Sequence, residues 1–155
     1  MAKLEYDIRV SKGSGNWDEA SWYVTECLNL AGCLSQGKTE KVALANVRDA
    51  IALYNAVIKK HNDSFLPIQQ INRGVSSLLN MMIVSGTETV QVLNKVGFRT
   101  DETTKLHTCV RSNQPPHKKL TIMNHSKLSP TYITRILGHV GMGEKQFIDL
   151  LKSLK

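Results

Sequence analysis

The stretch Thr104-Lys105-Leu106-His107-Thr108-Cys109-Val110-Arg111 decides how the second half of this 155-residue chain folds. Read as a β-strand, in which successive side chains point to opposite faces, it places its aliphatic side chains on one face. The opposite face carries Lys105, His107 and Arg111. The stretch therefore predicts a strand that is buried on one side and polar on the other.

A second stretch repeats this pattern: Lys119-Leu120-Thr121-Ile122-Met123-Asn124-His125. Leu120 and Ile122 point to one side, while Lys119, Thr121 and His125 point to the other. Two such strands side by side predict a small sheet with helices on its apolar face. Its other face is expected to be open and to carry two imidazoles and several cations.

An open face of this kind suits a polyanion such as RNA, because cations contact phosphates and an imidazole can transfer a proton near neutral pH. His107 is the candidate catalytic residue, and His125 is a second candidate proton carrier or an orienting group. His117 and His139 are expected to be solvated. Phosphate contacts are expected from a set of basic residues: Lys105, Arg111, Lys118, Lys119 and Lys127.

The composition is that of a soluble globular chain, with 41% hydrophobic and 21% charged residues. No apolar run approaches the roughly 20 residues that a membrane helix needs, and the N-terminus lacks the apolar stretch of a signal peptide. These features predict a cytoplasmic protein. The net charge of +7 is uneven: residues 1–62 hold 8 Lys and Arg against 7 Asp and Glu, and residues 63–155 hold 12 against 6. Such an excess of cations in the second part favours nucleic acid.

Other classes of site find little support. The three cysteines, Cys27, Cys33 and Cys109, lack zinc-site spacing and are expected to be reduced and mostly buried, so neither a metal nor a cofactor is expected. There is no phosphate-binding glycine loop and no nucleophile elbow. Adjacent carboxylates on a strand, such as Asp101 and Glu102, are expected to face opposite ways and not to converge on one ion.

The order of elements follows from periodicity and from capping signals. The first segment predicts two or three strands and then a helix that begins after Thr39 and buries a stripe at three- and four-residue steps. The second segment opens with the capping box Ser85-Gly86-Thr87-Glu88, and Gly97 is placed to end that helix. Two or three strands follow, and then a helix after Ser129-Pro130, a break between Gly138 and Gly143, and a final helix.

The first segment resembles a HicB-type antitoxin, a family with a tryptophan-containing strand, an Ala-Gly-Cys turn, a Gln-Gly-x-Thr step and an amphipathic helix. The corresponding residues are Trp22-Tyr23-Val24, Ala31-Gly32-Cys33, Gln36-Gly37-Lys38-Thr39 and Ala50-Ile51-Ala52-Leu53-Tyr54. The resemblance covers roughly residues 4–70. It implies a truncated ribonuclease-H-like α/β fold that is not itself a nuclease.

The second segment resembles a HicA-type toxin over about residues 84–152. The agreeing residues are Val84-Ser85-Gly86, Leu93-Asn94-Lys95-Val96-Gly97-Phe98, Thr121-Ile122-Met123-Asn124-His125, Thr134-Arg135-Ile136-Leu137 and Phe147-Ile148-Asp149-Leu150-Leu151. The resemblance implies a double-stranded-RNA-binding-domain-like fold and RNA cleavage. The catalytic histidine of the family's Gly-Ser-His motif falls on His107, and the histidine that ends its third strand falls on His125.

The chain departs from the HicA pattern next to His107, because Lys105-Leu106 stands where the family has Gly-Ser. Glycine lets an RNA backbone approach closely, and a serine hydroxyl can donate to phosphate. Leu106 has no hydroxyl group, and Lys105 adds bulk as well as charge. The histidine is retained while its two preceding residues are not.

Together these features predict an α+β chain with a HicB-like domain at residues 1–62, a linker or docking segment at 63–83 and a HicA-like domain at 84–155. The expected function is that of a toxin–antitoxin fusion, an RNA-binding and metal-independent mRNA endoribonuclease (mRNA interferase) inhibited by its own N-terminal part. The expected partners are RNA and the antitoxin-like domain, in cis or in trans, in a homo-oligomer. Two alternatives stay open: a non-catalytic RNA-binding regulator and a protein-interaction module.

Overall fold

The computed structural model describes residues 6–12, 22–64 and 82–154. Over these residues the chain is a mixed α+β structure with two three-stranded antiparallel sheets and four helices. Most of the expected linker at 63–83, and the start of the expected first strand at Lys3, lie outside the described residues. We call the described residues up to 64 the N-terminal segment and residues 82–154 the C-terminal segment.

The N-terminal segment consists of one sheet and one long helix. The sheet has the order β1 (Ile8–Lys12), β2 (Tyr23–Cys27) and β3 (Leu34–Gly37), and the helix is α1 (Glu40–His61). The Thr39 hydroxyl accepts a hydrogen bond from the Val42 amide at 3.1 Å, which confirms the predicted N-cap. Asn62 ends the helix in a left-handed conformation, with φ 54°.

The C-terminal segment is a second antiparallel sheet with three helices. Its elements are α2 (Gly86–Lys95), β4 (Phe98–Thr103), β5 (His107–Ser112), β6 (Lys119–Met123), α3 (Pro130–Val140) and α4 (Glu144–Ser153), and the strand order is β4-β5-β6. The capping box of Ser85 and Glu88 is present, as predicted. The predicted helix break between Gly138 and Gly143 is misplaced by some residues. Gly138 continues the helix, and Gly141, with φ 77°, ends it.

The apolar face of the C-terminal sheet packs against its own helices, as the alternation predicts. Val110, Leu120 and Ile122 lie fully buried in one cluster with side chains of α2, α3 and α4. Val24 and Leu34 of the N-terminal segment belong to the same cluster. The two segments therefore share a hydrophobic core.

The opposite face of the C-terminal sheet is not open, and the prediction of an uncovered face is wrong. Helix α1 and strand β3 of the N-terminal segment lie on it. Leu53 and Val57 of α1 pack against Cys109 of β5. The hydroxyl of Thr121 accepts from the Leu34 amide at 2.9 Å and donates to the Leu34 carbonyl at 2.8 Å. The N-terminal segment thus covers the polar face, and we call the contact between the two the docking interface.

The cysteine prediction is confirmed, because Cys27, Cys33 and Cys109 are all buried and unbonded. Cys33 follows Gly32, where the backbone of the N-terminal segment lies against that of β6. In the described part of the chain, no helix has both the length and the apolar character needed to cross a membrane.

Gly32 allows this close approach. Its φ of +91° lies in the left-handed region, and a Cβ atom placed there would be 2.1 Å from the Lys119 carbonyl oxygen. Its own carbonyl accepts a hydrogen bond from the Thr121 amide at 3.1 Å. Only glycine fits this backbone crossing between the two segments.

We expect Gly32→Ala to lower the free energy of unfolding by roughly 2–6 kcal/mol, since left-handed strain and a backbone clash each cost about 1–3 kcal/mol. Urea unfolding measures this change. Gly141→Ala is the matched control, because Gly141 has a similar φ of +77° but nothing within 4 Å of the added Cβ. Equal losses in the two variants would contradict the proposed backbone crossing.

Candidate functional site

The candidate catalytic imidazole of His107 is completely buried, with 0% of the residue exposed to solvent. His107 begins β5, and its side chain lies on the face that α1 and β3 cover. The alternation correctly predicted the face of the sheet on which His107 lies. The prediction that this face is exposed to solvent was wrong. The covering elements come from the N-terminal segment, which the strand pattern alone does not reveal.

Both ring nitrogens of His107 have a partner from the N-terminal segment. Nδ1 lies 2.7 Å from Asp49 Oδ2 of α1, and Nε2 lies 2.8 Å from Ser35 Oγ of β3. Thr104 supports this arrangement, because its hydroxyl donates to the same Asp49 oxygen at 2.6 Å and accepts from the His107 amide at 3.1 Å. The ring is therefore held by the Asp49 carboxylate and the Ser35 hydroxyl, and the Thr104 hydroxyl holds Asp49 and the His107 backbone in place.

The protonation state of His107 follows from its surroundings. Burial lowers the pKa of the imidazole, and the hydrogen bond and charge of Asp49 oppose that effect only in part. The ring is therefore neutral near pH 7, with its proton on Nδ1 facing the Asp49 carboxylate. Nε2 then accepts a hydrogen bond from the Ser35 hydroxyl. In this state neither nitrogen is available to a substrate.

Two of the predicted phosphate-binding cations are held by a single carboxylate, that of Asp63. Arg111 grips it with two hydrogen bonds, Nε to Oδ2 at 2.8 Å and Nη2 to Oδ1 at 2.7 Å. Lys119 Nζ lies 3.0 Å from Oδ2, although only 1% of Lys119 is exposed. The Arg111 guanidinium, followed by the Lys119 ammonium, holds the pKa of Asp63 well below its usual range.

The docking interface also has ion pairs with the charges reversed, in which the N-terminal segment provides the cations and the C-terminal segment the carboxylates. Lys60 Nζ of α1 lies 3.0 Å from Asp101 Oδ1 and 2.9 Å from Glu102 Oε1, and His61 Nε2 lies 2.5 Å from Asp101 Oδ2. The expectation that Asp101 and Glu102 face opposite ways is wrong, because both carboxylates reach the Lys60 ammonium. The strand pairing shifts its register between Thr100 and Glu102, and this irregularity breaks the alternation.

A third ionic cluster surrounds Glu26 of β2. Arg135 Nη1 and His139 Nε2 of α3 lie 3.0 and 3.1 Å from its carboxylate, and Arg9 also contacts it. Burial alone would raise the pKa of Glu26, but the hydrogen bonds from His139 and Arg9 outweigh burial and lower it to about 2. The expectation that His139 is solvated is wrong, because Glu26 holds it at the interface.

The remaining candidate residues lie outside these clusters. Lys105 is exposed, and Lys118 is exposed with its ammonium 3.2 Å from the His139 carbonyl oxygen. His125 and Lys127 follow β6 and line an open groove of about 400 Å³. The structure therefore brings His107, Arg111 and Lys119 onto one covered face and leaves His125 at its border.

Asp49, Asp63 and Ser35 belong to the candidate site, and the sequence reasoning missed them. Asp49, Leu53 and Val57 are spaced by four residues and form one row along α1, and each contacts the C-terminal sheet. This row lies beside the stripe that packs on the N-terminal sheet. In the sequence, this second row of α1, two apolar residues and an aspartate, could have predicted that the helix has a second contact surface.

Among the described residues, no three His, Cys, Asp or Glu side chains are grouped closely enough to hold a metal ion. The chemistry of the site consists of a neutral imidazole, a guanidinium and an ammonium, all engaged by acidic or hydroxyl groups of the other segment.

Comparison with known proteins gives one relationship. The chain is 40% identical to a UPF0150 protein of Thermoplasma acidophilum over 60 residues, which are 39% of this chain and 80% of that protein. No family model matches the chain, and no solved structure matches it significantly. Because the shared stretch makes up most of the archaeal relative, the chain belongs, through those 60 residues, to the UPF0150 family.

Proposed function

We propose that this chain is a toxin–antitoxin-type fusion in which the N-terminal segment inhibits an RNA-cleaving C-terminal segment. In this proposal residues 1–62 form a HicB-like, truncated ribonuclease-H-like domain, and residues 84–155 form a HicA-like domain with a double-stranded-RNA-binding-domain-like fold. The activity is that of a metal-independent mRNA endoribonuclease with His107 as its catalytic group. The protein acts in the cytoplasm, and its antitoxin-like part works in cis or on another copy.

The observation that carries the proposal is the enclosure of His107 by the other segment. Ser35 and Asp49 occupy its two ring nitrogens at 2.8 and 2.7 Å. A proton transfer to or from RNA needs one of these nitrogens within hydrogen-bond reach of the substrate. An inhibitor that takes both nitrogens therefore blocks the reaction without altering the catalytic residue.

The carboxylate of Asp63 supports the same interpretation. Arg111 and Lys119 bind it as they would bind a phosphate, the guanidinium through two parallel hydrogen bonds and the ammonium as a point charge. Asp63 lies immediately after the end of α1, on the inhibiting segment. The N-terminal segment thus provides an anion where the backbone of RNA is expected to bind.

Release of the N-terminal segment would expose groups suited to cleavage beside a ribose 2′-hydroxyl. His107 would take the 2′-hydroxyl proton as that oxygen attacks the phosphorus, the P–O5′ bond would break, and the leaving 5′-oxygen would take a proton from water or from the imidazolium. Arg111 and Lys119 would stabilise the charge on the phosphate during this step. Proton transfer by a positioned imidazole typically contributes about 10²–10⁴-fold to a rate. Tethering keeps the inhibitor at an effective concentration on the order of mM, so release requires a change that weakens docking.

The residues before His107 favour a second candidate function, that of a non-catalytic RNA-binding regulator. Leu106 packs against the hydrophobic core, and Lys105 points to solvent. Neither side chain provides the hydroxyl group that the HicA pattern has at position 106. Measurements of RNA cleavage and RNA binding distinguish a nuclease from a regulator that only binds RNA, and from a protein-interaction module that binds no RNA.

We expect Asp63→Arg in the full chain to produce RNA cleavage that the unaltered chain lacks, because the new cation repels Arg111 and Lys119 and weakens docking. Cleavage is measured with purified protein and labelled RNA. Asp149→Arg is the matched control, since it makes the same charge change at an exposed position of α4 and should leave the chain inactive.

The activity of Asp63→Arg should disappear when His107→Ala is added. Reaction of His107 with diethyl pyrocarbonate, located by mass spectrometry, shows whether the variant has exposed the imidazole. An exposed His107 in a folded variant that leaves RNA intact would exclude the nuclease.

Expression of residues 84–155 alone is expected to arrest growth and deplete RNA, because the inhibiting segment is absent. The same segment with His107→Ala should be harmless. Retention of RNA on a filter without cleavage would instead support the regulator. A segment that circular dichroism shows to be folded, but that has no RNA affinity at low salt, would support the protein-interaction module.

Asp63→Asn should lower the free energy of unfolding at pH 7 by about 3 kcal/mol, because it leaves the buried Lys119 ammonium without its counter-charge. Because its pKa is lowered in the folded chain, the ionised Asp63 carboxylate stabilises the fold. This contribution is complete above the ordinary pKa of 3.8 and is lost as the pH falls below that value. The variant should therefore show a flatter decline in stability below about pH 4. Urea unfolding at a series of pH values from about 2.5 to 7 measures both effects. If the free energy of unfolding of the variant fell with pH as steeply as that of the unaltered chain, the ion pair would not form in solution.

A further inference from the structure

An open groove of about 400 Å³ lies where the two segments meet, beside the docking interface. The N-terminal segment contributes Trp22 and Lys38. The C-terminal segment contributes the loop after β6: Asn124, His125, Ser126 and Lys127. The groove, which we call the seam groove, exists only while the segments are docked.

Trp22 lines this groove and also carries a buried donor without a partner. Only 6% of the residue is exposed, and its indole Nε1–H has no hydrogen-bond partner. That nitrogen is itself closed to solvent, so it does not contact a ligand in the groove. The seam groove is the open space that Trp22 lines.

His125 brings a donor to the groove, and the position of this donor follows from Gln36. The Ser129 amide donates to Gln36 Oε1 at 2.8 Å, and this contact fixes the orientation of the side-chain amide. Gln36 Nε2 is therefore the atom 3.3 Å from His125 Nδ1, so Nδ1 accepts and the proton of the neutral ring lies on Nε2. Among the described residues Nε2 has no hydrogen-bond partner.

The charge of the seam groove differs from that of the three ionic clusters at the interface. In those clusters each cation meets a carboxylate, whereas no Asp or Glu is among the described residues that line the groove. Lys38 is exposed, with its ammonium 5.9 Å from the centre of the Trp22 ring. Burial lowers the pKa of His125, and the nearby charge of Lys38 lowers it further.

We propose that the seam groove binds the phosphate group of a nucleotide, either free or at the end of an RNA strand. Lys38 and the imidazole of His125 donate to the phosphate oxygens, and Trp22 lines the groove beside them. A volume of about 400 Å³ is within the usual range for a site that holds one small ligand. The RNA-end form rests on the proposed function, and the binding of a free nucleotide stands without it.

Because both segments line the seam groove, ligand binding and docking are linked. A ligand that binds only the docked state stabilises that state by mass action. It would therefore reinforce inhibition, since His107 is enclosed in the same state. At 100 times its dissociation constant, such a ligand is expected to raise the Tm by about 5–10 °C.

The test uses the full chain with Trp17→Phe, which leaves Trp22 as its only tryptophan. Titration with adenosine 5′-monophosphate should change the Trp22 fluorescence in a saturable manner and raise the Tm. Inorganic phosphate should compete, and adenosine without phosphate should have no effect. Lys38→Glu should weaken binding at least tenfold, whereas Lys145→Glu, the same charge change at a residue whose side chain is 93% exposed, should not.

An oligoadenylate with a 5′-phosphate, compared with one that ends in a hydroxyl, identifies the source of the phosphate. Tighter binding of the phosphorylated strand assigns the groove to RNA ends, and binding of the mononucleotide alone assigns it to free nucleotides. The proposal is overturned by the absence of saturable binding, or by equal weakening in Lys38→Glu and Lys145→Glu. This assay involves no RNA cleavage, so its failure is separate from failure of the proposed nuclease.

Discussion

Burial of the polar face of the C-terminal sheet is the constraint on which the rest of the structure depends. A charged group removed from water costs several kcal/mol unless a counter-charge and hydrogen bonds replace the solvent. Arg111 and Lys119 meet this requirement through Asp63, and His107 meets it through Asp49 and by remaining neutral. The docked arrangement is therefore specified by carboxylates of one segment placed opposite cations of the other.

The helix α1 is able to serve both segments because it has two buried surfaces. One surface, which includes Ala50 and Tyr54, packs on the N-terminal sheet near Cys27 and Cys33. The row of Asp49, Leu53 and Val57 packs on the C-terminal sheet. Lys60 and His61 extend the second surface to the helix end, where cations are favoured by the helix dipole and also meet Asp101.

Sequence reasoning succeeded where structure depends on residues a few positions apart. The cap at Thr39, the capping box at Ser85 and the face on which His107 lies all follow from local patterns. It failed where partners are distant in the chain, because His107 and Asp49 are 58 positions apart and His107 and Ser35 are 72. The irregularity between Thr100 and Glu102 also removes the alternation on which strand predictions rest.

The side chain of Gln36 illustrates how the segments recognise each other through the main chain. Its amide accepts from the Ser129 backbone and donates to the Lys127 carbonyl at 3.1 Å. Contacts to peptide groups are indifferent to the side chains of the loop but depend on its path. The loop after β6 must therefore keep its length, since one inserted residue would move both peptide groups out of reach of Gln36.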